Sequence, residues 1–126
     1  MAEILLIDDD HSMHQIVNLF LEDTGHRVHS AVSGPAGLEL ASRAHPDLIL
    51  LDMAMPGMDG LETLHELKDS LYTADIPVMI FSVLDRENLD IDLNEQGLAG
   101  YLMKPVDMHT LQAGVNMALH RPYHLH

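Results

Sequence analysis

The chain has 126 residues, with 20 acidic against 6 basic side chains and a formal charge of -14. A chain of this length makes one domain that buries about two thirds of its unfolded surface without covalent staples, and the absence of cysteine excludes disulfides and thiolate chemistry. The negative charge opposes binding to nucleic-acid backbones and anionic membranes, although protonation of the 10 histidines would remove much of it. No apolar run approaches a membrane span or the core of a signal peptide, so a soluble, cytoplasmic protein is expected.

In chain order, Ile4-Leu5-Leu6-Ile7 is a continuous aliphatic run, the pattern of a strand buried on both faces, and it ends in Asp8-Asp9-Asp10. Met13, Ile16, Val17 and Phe20 recur at helical spacing and predict a helix from about His11 to Asp23, stopped at Gly25. Arg27 to Ala31 reads as a strand nearer an edge. Ser33 suits an N-cap and Pro35 a first turn, with Leu38, Leu40 and Ala41 carrying a helix to about Ala44. Leu48 to Leu51 is a second buried strand, ended by Asp52 and by a loop containing Pro56, Gly57 and Gly60.

A helix is expected from about Leu61 to Asp69, then a strand over Ile76 to Phe81 with Pro77 near its start, ending in Ser82. Asp85 to Gln96 should hold a short helix of weak propensity. Tyr101 to Met103 forms a last strand, closed by Lys104-Pro105. Asp107 caps a final helix with an apolar stripe of Met108, Leu111, Val115 and Leu119. Five strands alternating with five helices predict a doubly wound α/β domain with one parallel sheet over residues 1–121. A short tail, 122–126, contains histidine. With His120, its His124 and His126 read as a solvated terminus rather than a metal site.

Four of the five apolar strands end in polar residues: Asp8 and Asp9, Asp52, Ser82 and Lys104. In a parallel sheet those ends share one rim, where open α/β sheets keep their ligands. Three carboxylates held together repel one another unless a cation intervenes, and hard oxygen donors suit magnesium. An ammonium and a hydroxyl around one carboxylate suit phosphoryl transfer to that carboxylate. No Walker or GxGxxG pattern occurs, so the phosphoryl donor is not expected to be a nucleotide bound here.

Ile7-Asp8-Asp9-Asp10, Leu51-Asp52-Met53-Ala54-Met55-Pro56-Gly57-Met58-Asp59-Gly60, Phe81-Ser82 and Tyr101-Leu102-Met103-Lys104-Pro105 together resemble the receiver domain of bacterial two-component response regulators. The resemblance covers essentially the whole chain. It implies a flavodoxin-like fold with strand order 2-1-3-4-5. It also implies that Asp52 accepts a phosphoryl group from a histidine of a sensor kinase or phosphotransfer protein. Asp8, Asp9, Asp52 and the backbone carbonyl of Ala54 would hold Mg²⁺ (or Mn²⁺). Lys104 would pair with a phosphoryl oxygen, Ser82 would move to hydrogen-bond another, and Tyr101 would be the aromatic switch. The Lys104–Pro105 bond resembles one often cis in the family. A monomer or a phosphorylation-dependent dimer would fit.

Three features depart from the family pattern: Ser82 in place of the commoner threonine, Val83 in place of a small residue, and Ala54 and Leu84 flanking the site. Neither Ala54 nor Leu84 can orient water, so slow hydrolysis of the aspartyl phosphate is expected. Rival readings are an aspartyl-phosphate phosphatase or phosphotransferase acting on small molecules, a flavodoxin-like cofactor binder and an unphosphorylated scaffold. The first lacks its second acid at Ala54, and the second meets three aspartates where a phosphate loop belongs. The third is disfavoured by the complete acid, hydroxyl and lysine set. The sequence leaves the output open: either a stand-alone relay or a piece of a longer protein, contacting targets around Asp85–Asn94, Tyr101 and the last helix. His11 and His14 read as partner-facing or solvated rather than as metal ligands.

Overall fold

The computed structural model describes residues 2–55, 57–83 and 98–120. In chain order the elements are β1 (Glu3–Ile7), α1 (His11–Leu21) continued by a 3-10 turn (Glu22–Thr24), β2 (Arg27–Ala31), α2 (Gly34–Ala44) and β3 (Leu48–Leu51). They continue with α3 (Gly60–Asp69), β4 (Val78–Ser82), β5 (Gly100–Met103) and α4 (Met108–His120). The helix expected within Asp85–Gln96 and the 122–126 tail lie outside the described residues. No helix among those described is long and apolar enough to cross a membrane.

All four strand pairings are parallel and the order is β2-β1-β3-β4-β5. Alternation along each strand divides the core into two layers. Ile4, Leu6, Leu48, Leu50, Met79 and Phe81 face Val17 and Leu21 of α1 and Leu111 and Val115 of α4. Leu5, Ile7, Ile49, Leu51 and Val78 face Ala41 of α2 and Leu64 and Leu67 of α3. Because both faces are covered, the strands show no polar alternation, and this is why they read as unbroken aliphatic runs. The less apolar β2 lies at the edge.

Local chemistry sets the ends of the helices. Asp10, Ser33 and Asp59 cap α1, α2 and α3 by accepting from the amides of Ser12, Ala36 and Glu62. Asp107 accepts from Thr110 N at 2.7 Å at the start of α4. Gly25, with φ 79°, turns the chain after the 3-10 segment. α2 ends on His45 in the left-handed region at φ 45°, and its ring Nε2 stands 3.1 Å from Asp75 Oδ1.

Three expectations need correction. β4 begins at Val78, so Pro77 precedes the strand and contributes only its carbonyl, which accepts from Ile49 N. The buried stripe of α1 is His14, Val17 and Leu21, with Met13 and Phe20 at its margin and Ile16 exposed. The stripe of α4 is Leu111, Val115 and Ala118; Met108, in the first turn, points to solvent.

Candidate phosphoacceptor site

The chain runs from β1 outward to β2, then returns to place β3 on the other side of β1. The β1–β3 boundary is therefore the switch point at which open α/β sheets form a crevice. Register pairs Ile7 with Leu51. The next residue on each strand is an acid, so Asp8 and Asp52 emerge side by side at the carboxyl edge. The ladder continues one step beyond, with Asp52 N donating to Ile7 O at 2.9 Å. On the far side, Ser82 is paired with Met103, and Lys104 N donates to Ser82 O at 2.7 Å, which brings Lys104 to the same rim.

One carboxylate oxygen from each of Asp8, Asp9 and Asp52 lies within 4.8 Å of the other two. Asp8 and Asp52 are buried, while Asp9 faces solvent. Lys104 Nζ stands 2.5 Å from Asp8 Oδ2 and 3.7 Å from Asp52 Oδ2, and lies 5.2 Å from the centre of the Phe81 ring. The other oxygen of Asp8 accepts from Asp10 N at 2.9 Å, and Asp52 Oδ1 accepts from Ala54 N at 3.1 Å. Burial pushes the Asp52 carboxyl above its ordinary range. The Ala54 amide opposes this, the Asp8 and Asp9 charges reinforce it and Lys104 opposes it.

Such an arrangement has the donors a small divalent cation needs: a few anionic oxygens, one of them exposed, with a single ammonium nearby to limit the repulsion. α3 also approaches closely here: at Gly60 a Cβ atom would stand within 2.5 Å of the Asp52 carbonyl oxygen. Only glycine allows the helix to start that near the acid.

The seven residues expected to form the site fall into two groups. Asp8, Asp9, Asp52, Ala54, Ser82 and Lys104 gather at the rim, with Ser82 fully buried. Tyr101 sits lower on β5, opposite Ile80, with its hydroxyl buried. It lines a cleft of about 760 Å³ with residues of α4, among them His109, Ala113 and Met117. The Lys104–Pro105 bond is cis.

The sequence matches the response regulator receiver domain family over residues 4–116. The chain is a receiver domain of that family. It is 37% identical to Protein PilH of Pseudomonas aeruginosa over 119 residues, which cover 94% of this chain and 98% of PilH. It is 38% identical over 121 residues to the DNA-binding dual master transcriptional regulator RpaA of Synechocystis, covering 96% of this chain but only 50% of RpaA. The high-resolution structure of the chemotaxis response regulator CheY4 of Vibrio cholerae superposes with a TM-score of 0.86 at 28% identity, covering 94% of this chain and 99% of CheY4. The receiver thus spans nearly all of some relatives and half of others. Its family consists of signalling modules of two-component systems.

His14 is the residue that sequence reasoning misplaced. It is only 7% exposed, and its Nε2 lies 2.7 Å from the carbonyl oxygen of Asp8. It is neither solvated nor open to a partner. The available signal was its spacing, three and seven residues before Val17 and Leu21, on the face that α1 buries. His11 is exposed, as expected.

Proposed function

We propose that this receiver takes a phosphoryl group onto Asp52 from a phosphohistidine of a sensor histidine kinase or phosphotransfer protein. An oxygen of Asp52 attacks phosphorus in line with the departing imidazole; the O–P bond forms as the N–P bond breaks, and the leaving nitrogen takes up a proton. Asp8, Asp9, Asp52 and the Ala54 carbonyl would hold Mg²⁺ or Mn²⁺, which would supply positive charge to offset that of the phosphoryl oxygens. Lys104 turns from Asp8 toward a phosphoryl oxygen, a movement of the ammonium within its present reach of both acids. Ser82 donates its hydroxyl to another oxygen, and Tyr101 follows it by repacking against the α4 cleft. The changed surface is then read by a target protein rather than by nucleic acid or membrane.

The observation that supports this reading best is the convergence of three carboxylates and one partly buried lysine at the β1–β3 switch point. The test is intact-mass measurement after incubation with acetyl phosphate and Mg²⁺, beside an Asp52→Asn control. The wild type gains the mass of one phosphoryl group and the variant gains none. Equal gain by both would remove Asp52 from the acceptor role, and no gain by the wild type would leave an unphosphorylated scaffold.

A further inference from the structure

Asp8 is held at four points. Its amide donates to Ala31 O at 3.0 Å, its carboxylate accepts from Asp10 N and from Lys104 Nζ, and its carbonyl accepts from His14. The carboxylate's ion pair with Lys104 is the one that phosphoryl transfer would interrupt, since the ammonium is then needed elsewhere. The main-chain restraints remain. Of these, only the contact with His14 ties the carboxyl end of β1 to the body of α1.

A carbonyl oxygen can only accept, so the His14 ring carries its proton on Nε2. Nδ1 is buried and without a hydrogen-bond partner among the described residues. Along the stripe of His14, Val17 and Leu21, an aliphatic side chain at position 14 would be cheaper to bury than an imidazole with one nitrogen unmet. What the imidazole adds is a fixed donor reaching the residue whose carboxylate faces Asp52.

We propose that His14 is a positioning residue for phosphoryl transfer. By holding the Asp8 carbonyl, it fixes where the Asp8 and Asp9 carboxylates stand relative to Asp52. It touches no reacting atom; it acts through Asp8. The inference rests on the reading of these acids as the cation-binding set, where outer partners of ligands typically govern affinity by about ten- to a hundredfold.

The test is Mn²⁺ titration of the full chain, read as loss of the free-ion paramagnetic resonance signal, with the acetyl phosphate reaction followed in parallel. His14→Leu fills the same volume without a donor and should weaken Mn²⁺ binding about tenfold or more. Its phosphorylation should slow most at low Mn²⁺ and recover as the ion approaches saturation. His14→Gln places an amide donor where Nε2 stands and should restore binding close to the wild type. His14→Asn presents its amide nearer the Nδ1 position and should behave as the leucine variant does. If the leucine variant fails to fold, the Gln and Asn pair, with folding checked by circular dichroism, decides alone.

Wild-type affinity in His14→Leu, or in His14→Asn, would overturn the inference. So would equal weakening in the Gln and Asn variants, which would assign the loss to ring packing rather than to the donor. A wild type that neither binds Mn²⁺ nor accepts a phosphoryl group would overturn the reading of the site, and this inference with it.

Discussion

Replacing Lys104 by methionine keeps most of the side-chain volume and removes the one cation that, among the described residues, pairs with both buried acids. Lys104 is 10% exposed and Asp8 fully buried, with Nζ 2.5 Å from Asp8 and 3.7 Å from Asp52. At an effective dielectric of about 20, those separations correspond to about 7 and about 4 kcal/mol of gross attraction. Most of that offsets the desolvation of three charged groups. The measurable quantity is the cost of leaving the acids without their partner, about 3–5 kcal/mol for a buried pair. A domain of this size has about 5–15 kcal/mol of total stability, so the loss takes a large share of it and leaves a folded variant wherever the total exceeds about 5 kcal/mol. Urea unfolding at pH 7 in the presence of a chelator reads the loss.

Two further results are required by the same reasoning. Mg²⁺ restores part of the loss, because it supplies positive charge to the folded acids and not to the unfolded chain. Adding Asp8→Asn to Lys104→Met also restores stability, because the uncompensated charge is then gone. A loss under about 1 kcal/mol, the range of exposed ion pairs, would refute the reasoning. So would a double variant whose two losses simply add.

Other outcomes follow from the same geometry. Burial first, then the Asp8 and Asp9 charges, hold the Asp52 carboxyl above its ordinary 3.8, so the folded state binds that proton more tightly than the unfolded chain does. Ionised Asp52 therefore costs stability as pH rises from about 3.8 through the raised folded value; Asp52→Asn should raise Tm at pH 7 and lose that gain in acid, whereas a pH-independent gain would contradict this. Gly60→Ala places a Cβ against the Asp52 carbonyl oxygen and should cost about 1–3 kcal/mol in urea unfolding while slowing phosphorylation, and unchanged stability would show that the loop yields freely. Ala54 offers only an exposed methyl beside Asp52, so the aspartyl phosphate should persist for minutes or longer in purified protein; a lifetime of seconds would contradict the reading that position 54 cannot orient water.

The sheet was legible in the sequence because burial on both faces leaves continuous aliphatic runs, and each run stops where the chain meets solvent at the rim. That pattern was enough to set Asp8 and Asp52 on one rim; that β1 lies next to β3 was implied only by the resemblance to receiver domains, and the register bears it out. Features that depend on helix rotation were less legible. Ile16 and Val17 are adjacent apolar residues, and composition cannot say which one faces the sheet; counting both as the apolar face hid the rotation that buries His14. The closer approach of Lys104 to Asp8 than to Asp52 follows from side-chain reach across β5, β4 and β3, which no local pattern encodes. The left-handed end of α2 at His45 was hidden for a different reason. Glycine usually marks such a position, and here a histidine held near Asp75 takes it.

In the proposed reaction one particular carboxylate, that of Asp52, becomes an acyl phosphate. Borohydride reduction of the protein treated with acetyl phosphate, followed by peptide mass mapping, tests it directly, because an aspartyl phosphate is reduced to homoserine at the position that carried it. The account predicts homoserine at position 52 and nowhere else, dependent on Mg²⁺. Homoserine at position 8 or 9 instead, or reduction that proceeds equally without a divalent cation, would contradict it.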